Sequence, residues 1–249
     1  MLTVSIDPQL FARFPGLRVG GFVAAHLDRA VSTLTRTDLK NALTRAAAEL
    51  ARGGVKIENV ASLPAIQQWR QAFAACGLRP SSYAGSVEAL VRRILEGGSI
   101  ATPVPIVTLY GAISARHLAP LAGYDVDALP ASTVTIRSSR PNSDWFVPVG
   151  ARPTDIRSHP SGVVFAAGST VLCWSFNRNS RQTCLRPETT RAVFFTEAVV
   201  PQQLNAAAEA LRDLRRMLAT RGARVSAPTF ADKHTPNVAL RFTDEERRN

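Results

Sequence analysis

The sequence predicts an α+β domain in which a helical N-terminal part packs on a mixed β-sheet. Three observations carry this. Apolar residues recur at helical spacing in successive stretches between Thr37 and Leu95; the period changes to two over Thr133–Val200; and no repeated strand–helix–strand rhythm points to a parallel α/β sheet. A chain of 249 residues with 45% apolar side chains can bury one such core.

From Leu2 to Val31 the apolar residues are interrupted by Asp7-Pro8 and Phe14-Pro15-Gly16, so a strand and short turns feeding the core are expected. Thr37–Arg52 places Leu39, Ala42, Leu43, Ala46 and Leu50 on one face and stops at Gly53-Gly54, which predicts a surface helix. Ser62–Cys76 has Pro64 near its start, Ile66, Trp69, Ala72 and Phe73 on one side, and Gly77 at its end. Ser86 is suited to cap a third helix through Val87, Leu90, Val91, Ile94 and Leu95, with Arg92 and Arg93 on its wet side. After Pro103 and Pro105, Ile106–His117 reads as a short buried helix that Pro120 ends.

Strands are expected at Thr133–Arg137, Trp145–Val149, Gly162–Ala167, Thr170–Trp174 and Val193–Val200, with turns at Pro141-Asn142, Arg152-Pro153 and Pro160-Ser161. Pro201–Thr220 returns to helix, with Leu204, Ala208, Leu211, Leu214 and Leu218 inward and Arg212, Arg215 and Arg216 outside. No linker forces a cut, so residues 1–222 form one domain and 223–249 read as a polar C-terminal extension.

The charge is uneven: 30 Lys+Arg against 19 Asp+Glu gives +11, and only Lys40, Lys56 and Lys233 are lysines. Guanidinium groups fork onto phosphate oxygens and stack on bases, so a polyanionic partner is expected, RNA first. The competing reading is that arginine serves solubility alone. Cys76, Cys173 and Cys184 are odd in number, form no CxxC pair and stand apart from the histidines at 26, 117, 159 and 234, which argues against a disulfide framework or zinc site and for a reducing cytoplasm. No apolar run approaches the ~18 residues of a membrane span, and no leader is expected. Neither GxSxG, GxxxxGK[ST], GxGxxG after a strand nor HExxH occurs, so no cofactor or metal is expected.

Four stretches, in order, carry a pattern: Pro80-Ser81-Ser82-Tyr83 followed by Ser86–Gly97; Ile106-Val107-Thr108-Leu109-Tyr110-Gly111-Ala112-Ile113-Ser114; Leu121-Ala122-Gly123-Tyr124-Asp125-Val126-Asp127; and Val171-Leu172-Cys173-Trp174-Ser175-Phe176-Asn177-Arg178. Over residues 10–220 the chain resembles the free-standing B3/B4-domain proteins, a family similar to the editing domain in the β subunit of bacterial phenylalanyl-tRNA synthetase. The resemblance implies a pocket for the aminoacylated 3′ end of a tRNA and hydrolysis of mischarged tRNA in trans, by a monomer. The alternatives are a tRNA or RNA binder without hydrolysis, and a small-molecule regulatory domain that reuses the pocket.

The same resemblance assigns the site. Asn177, Glu197 and Asp125 are implied as catalytic, and Tyr110, Ser114, Tyr124 and Phe176 as substrate-binding. Arg178 and Arg181 are implied as phosphate and ribose contacts, with Arg116, Arg137, Arg92 and Arg93 as further RNA contacts. Where the synthetase pattern has a histidine two residues before its Phe-Asp pair, this chain has Ala122, and Gly111 replaces an asparagine of the family's Tyr-Asn-Ala-Ile-Ser. Several positions have a second reading. Tyr124 and Phe176 also suit a core, Asp125 a turn cap, Glu197 a cross-sheet pair with an arginine, and Arg92 and Arg93 a solvated helix face.

Overall fold

The computed structural model describes residues 1–80, 84–98, 100–150 and 162–242. Ser81, Ser82, Tyr83, His159 and the turns at Arg152-Pro153 and Pro160-Ser161 lie outside the described residues. The chain opens with β1 (Leu2–Ile6), α1 (Leu10–Arg13), β2 (Arg18–Ala25) and α2 (Leu27–Ser32). Four longer helices follow: α3 (Arg36–Arg52), α4 (Pro64–Ala75), α5 (Ser86–Leu95) and α6 (Pro105–His117). The strands β3 (Ala122–Asp125), β4 (Thr133–Ser138), β5 (Val163–Ala167), β6 (Thr170–Trp174), β7 (Arg178–Asn179) and β8 (Arg191–Ala198) come next. The chain then forms α7 (Leu204–Ala219), β9 (Arg224–Val225), β10 (Thr229–Ala231) and β11 (Asn237–Leu240).

The α+β class holds, with two sheets in place of one. The first, ordered β11-β1-β4-β5-β6-β7, is mixed, since β1 and β4 run parallel and the other pairs antiparallel. The second is antiparallel, ordered β10-β2-β8-β3, with β9 also on β2. Period-two alternation on β8 explains the layering. Val193 and Phe195 enter a core shared with Val4, Ile6, Ile136 and Phe165 of the first sheet. Ala192 and Phe194 face the other way, onto Leu109 and Ile113 of α6 and Leu211 and Leu214 of α7. The second sheet is therefore the middle layer, and β8 is buried on both faces.

Several expectations are corrected. β2 goes beyond the one strand expected in Leu2–Val31; a Cβ on Gly20 would stand 2.3 Å from the Phe230 ring, so the glycine is what lets that ring cover the strand. Trp145–Val149 makes only the isolated bridges Trp145↔Thr170 and Pro148↔Ser180, because Pro148 has no N–H for a ladder. The helix from Ser86 is capped by Gly85 in extended conformation, not by the serine side chain. α6 ends before Pro120, at Leu118 in the left-handed region (φ 52°). The polar segment from 223, expected outside the domain, supplies β9, β10 and β11: its alternation is short, but Val238 and Leu240 pair onto β1 and enter the inter-sheet core. Among the described residues no helix is long and apolar enough to cross a membrane.

Candidate functional site

The site grows out of the hairpin between β6 and β7, where Cys173 pairs with Asn179 and Trp174 with Arg178. The Asn177 N–H donates to the Trp174 carbonyl (3.1 Å), and both central residues, Ser175 and Phe176, have positive φ (47° and 55°). This is the backbone of a type I′ turn, which normally takes Asn-Gly. With two residues that carry a Cβ, each left-handed position costs roughly 1–2 kcal/mol. Packing holds it there. The Phe176 ring lies 5.5 Å from Trp69, 6.1 Å from Phe165 and 6.2 Å from Phe14, centroid to centroid. Gly162, at φ 130°, leaves room above the turn, since a Cβ there would sit 2.4 Å from the Ser175 hydroxyl.

Beneath the turn lie three buried groups from three strands. Tyr124 of β3 donates its hydroxyl to Asn179 Oδ1 at 2.8 Å. Burial, then the neighbouring Cys173 and Glu197, push that hydroxyl well above the usual tyrosine range. The Cys173 thiol is pushed up to about 12, by burial first and by Glu197 second. Glu197 of β8 is 4% exposed, and burial alone pushes its carboxyl up to about 8. All three are protonated at neutral pH, so the cluster presents O–H and S–H donors and no net charge. Cys173 is no nucleophile in this state.

On the outer side of Phe176 runs an apolar slot walled by Ile66, Trp69, Phe73, Gly85, Val87 and Pro120, with about 10 Å³ of free volume, the room of one water. Among the described residues Trp69 Nε1, from its wall, and Ser175 Oγ, on the residue before Phe176, are buried without a hydrogen-bond partner. At the rim Glu88 accepts from Arg70 at 2.9 and 2.6 Å and from Arg92 at 3.2 Å. Asn177 Nδ2 donates to the Ala84 carbonyl (3.1 Å), which ties the turn to the start of α5. Among the described residues no group of three or more His, Cys, Asp or Glu is placed to hold a metal.

A family model described as the B3/4 domain matches residues 68–239, which takes in α4 through most of β11 and every strand of this cluster. The chain belongs to the B3/4 domain family. Among solved structures it is similar to an N-terminal fragment of the phenylalanyl-tRNA synthetase β subunit from Pyrococcus horikoshii, at 11% identity and a TM-score of 0.46 over 90% of this chain and 50% of that one. The chain thus spans about half of that fragment's length. No curated protein matches it.

In this B3/4 domain the structure brings Tyr124, Phe176, Asn177 and Glu197 together around the β6–β7 turn, with Arg178 and Arg181 exposed beside it. The other assigned residues lie elsewhere. Tyr110 packs edge-on against Phe194 in the helix-side core, and Ser114 donates to the Ala119 carbonyl at 2.7 Å to close the turn after α6. Asp125 accepts from the Asp127 N–H (2.9 Å) and the Thr189 hydroxyl (2.8 Å), so its carboxylate is a turn cap.

Two RNA assignments are corrected by burial: Arg137, 4% exposed, is held bidentately by Asp144 at 2.9 and 2.6 Å, and Arg116 is locked to Asp213. Arg92 is engaged by Glu88, and Arg93 is exposed on α5. Sequence reasoning missed Trp69, Cys173 and Ser175 as parts of the site. Trp69 sits on an ordinary amphipathic face, and a Ser-Phe pair carries no turn signal.

Proposed function

We propose that this B3/4 domain is a trans-acting aminoacyl-tRNA deacylase. The reading rests on the family and on one observation above the rest: Glu197, a protonated carboxyl buried under a strained turn, is set to donate to a polar group of the amino acid. An aminoacyl ester is already activated, so hydrolysis needs a placed water, donors for the developing oxyanion and a shaped side-chain pocket, with no histidine or triad. The slot beside Phe176 has room for that water, and Trp69, whose Nε1 has no hydrogen-bond partner among the described residues, stands in its wall. Asn177 positions the turn, and a terminal ribose hydroxyl of the tRNA completes the water's hydrogen bonds. Arg178 and Arg181 meet phosphates of the acceptor end.

Ester half-lives across a panel of mischarged tRNAs test this. At least one ester is expected to be cleaved about a hundredfold faster than spontaneously, which is in the range of a positioned proton donor. Glu197→Ala is expected to change which ester is cleaved. Unchanged half-lives throughout the panel, with salt-sensitive tRNA binding retained, would instead establish the binding-only reading that Ala122 favours, since that position lacks the synthetase pattern's histidine.

A further inference from the structure

A second cavity, of about 200 Å³, lies where α3, α6 and α7 meet, in the helical layer and away from the β6–β7 turn. Its walls carry Asn41, Arg45, Arg116 and Arg221, with Asp38 as the one acid. The surrounding ion pairs leave a surplus of positive charge. Among the described residues Arg45, Arg52, Arg116, Arg216 and Arg221 share the carboxylates of Asp38, Glu49 and Asp213, five guanidiniums against three.

The carboxylates are also committed. Asp38 accepts from the Thr35 N–H (2.9 Å) and hydroxyl (2.8 Å) as the cap of α3, besides its 3.2 Å pair with Arg221. Asp213 is shared between Arg116, His117 and Arg216. Two donors are left over. Among the described residues Arg116 Nε and Arg221 Nε are buried without a hydrogen-bond partner, and the Arg116 side chain is only 8% exposed. The carboxylate facing Arg116 Nε, that of Glu49, stops at 3.8 Å, beyond hydrogen-bond reach. A buried guanidinium N–H without an acceptor costs on the order of 1–3 kcal/mol, and Arg116 and Arg221 both line the cavity.

We infer that this cavity binds a phosphate-type oxyanion, free or as the end of a small phosphomonoester. The anion accepts from the guanidiniums of Arg45, Arg116 and Arg221, and it balances the excess charge. A cavity of this size and a nearly buried Arg116 fit a small anion rather than an RNA strand. The site is independent of the proposed deacylase site, because none of its residues touches the β6–β7 turn cluster.

Calorimetric titration of the full chain with inorganic phosphate, at an ionic strength held constant with chloride, tests it. One saturable site is expected. Affinity should fall about tenfold or more in Arg221→Gln, which removes one charged hydrogen bond. Asn41→Asp, an isosteric change on an exposed turn of α3 that breaks no ion pair, should weaken binding in the same direction and covers the case in which Arg221→Gln does not fold. A sugar monophosphate that binds tighter than phosphate would assign the ester, and equal affinity the free anion. No saturable binding, or binding equal in wild type and Asn41→Asp, overturns the inference. So does a tRNA affinity that Asn41→Asp weakens, which would put RNA backbone in the cavity.

Discussion

Glu88 and Glu197 are buried to nearly the same depth, 2% and 4% exposed, and end in opposite protonation states. Burial pushes both carboxyls up. At Glu88, Arg70 and Arg92 more than reverse it, and the carboxylate stays charged below its usual range. Asp144 repeats that outcome: burial raises it, while Arg137 and the Arg140 N–H bring it down. Among the described residues no guanidinium pairs with Glu197, and its neighbours are a tyrosine hydroxyl and a thiol. An arginine-rich chain that pairs Glu88 and Asp144 and leaves Glu197 bare separates the acids that hold ion pairs from the one that keeps its proton.

The largest test of this contrast is pH. Glu197 has a native value near 8 against an ordinary 4.5. Between those values the folded protein keeps a proton that the unfolded chain has released, so stability falls as pH rises through that window and levels off above it. The shift corresponds to something on the order of 5 kcal/mol. Urea unfolding from pH 5 to 8.5 should show the wild type losing stability relative to Glu197→Gln, which has no proton to lose. Parallel curves would break the comparison, because Glu197 would then be paired like Glu88.

Next in size is the charged side. Arg137→Ala leaves Asp144 buried without its paired guanidinium and should cost about 3–5 kcal/mol. Arg70→Ala should cost less, about 1–3 kcal/mol, since Arg92 still reaches Glu88 and the Arg70 side chain is 25% exposed. Chemical denaturation at pH 7 ranks them, and a cost at Arg70 as large as that at Arg137 would mean that Arg92 does not share the load.

One half of this contrast is legible in the sequence and the other is hidden there. Amphipathic periods locate α3, α4, α5 and α7 because such a helix buries one stripe whatever it packs on, while α6, buried nearly all round, is marked by its apolar run between prolines. Tyr124, Asn177 and Glu197 follow from a motif pattern, and the structure joins them. Arg137 and Asp144 lie seven residues apart with nothing between them to signal a pair, so Arg137 reads as a free cation. β2 is not signalled locally: Gly20 lies under the ring of Phe230, two hundred residues on, and that close packing is absent from the local pattern. The Ser175–Phe176 turn defies prediction for the same reason. Its backbone is dictated by Trp69, Phe165 and Phe14 around one ring, not by the preference of the pair itself.

The smallest expected effect on stability belongs to Arg178 and Arg181, exposed next to the turn. Replacing either with Gln should move stability by no more than about 0.5 kcal/mol, as for surface positions without buried partners. Their effect should fall on RNA instead. Removing one arginine–phosphate interaction reduces the slope of log affinity against log salt by about 1, and weakens binding uniformly across tRNA sequences. Filter binding of wild type, Arg178→Gln, Arg181→Gln and the double variant between about 50 and 200 mM salt, a span over which several such interactions change affinity by orders of magnitude, measures this. Because these arginines belong to the β6–β7 hairpin that carries Phe176 and Asn177, a slope change at them with stability intact ties the RNA track to the cluster around Glu197. An unchanged slope would move the track to another face and leave the deacylase reading without its acceptor-end anchor.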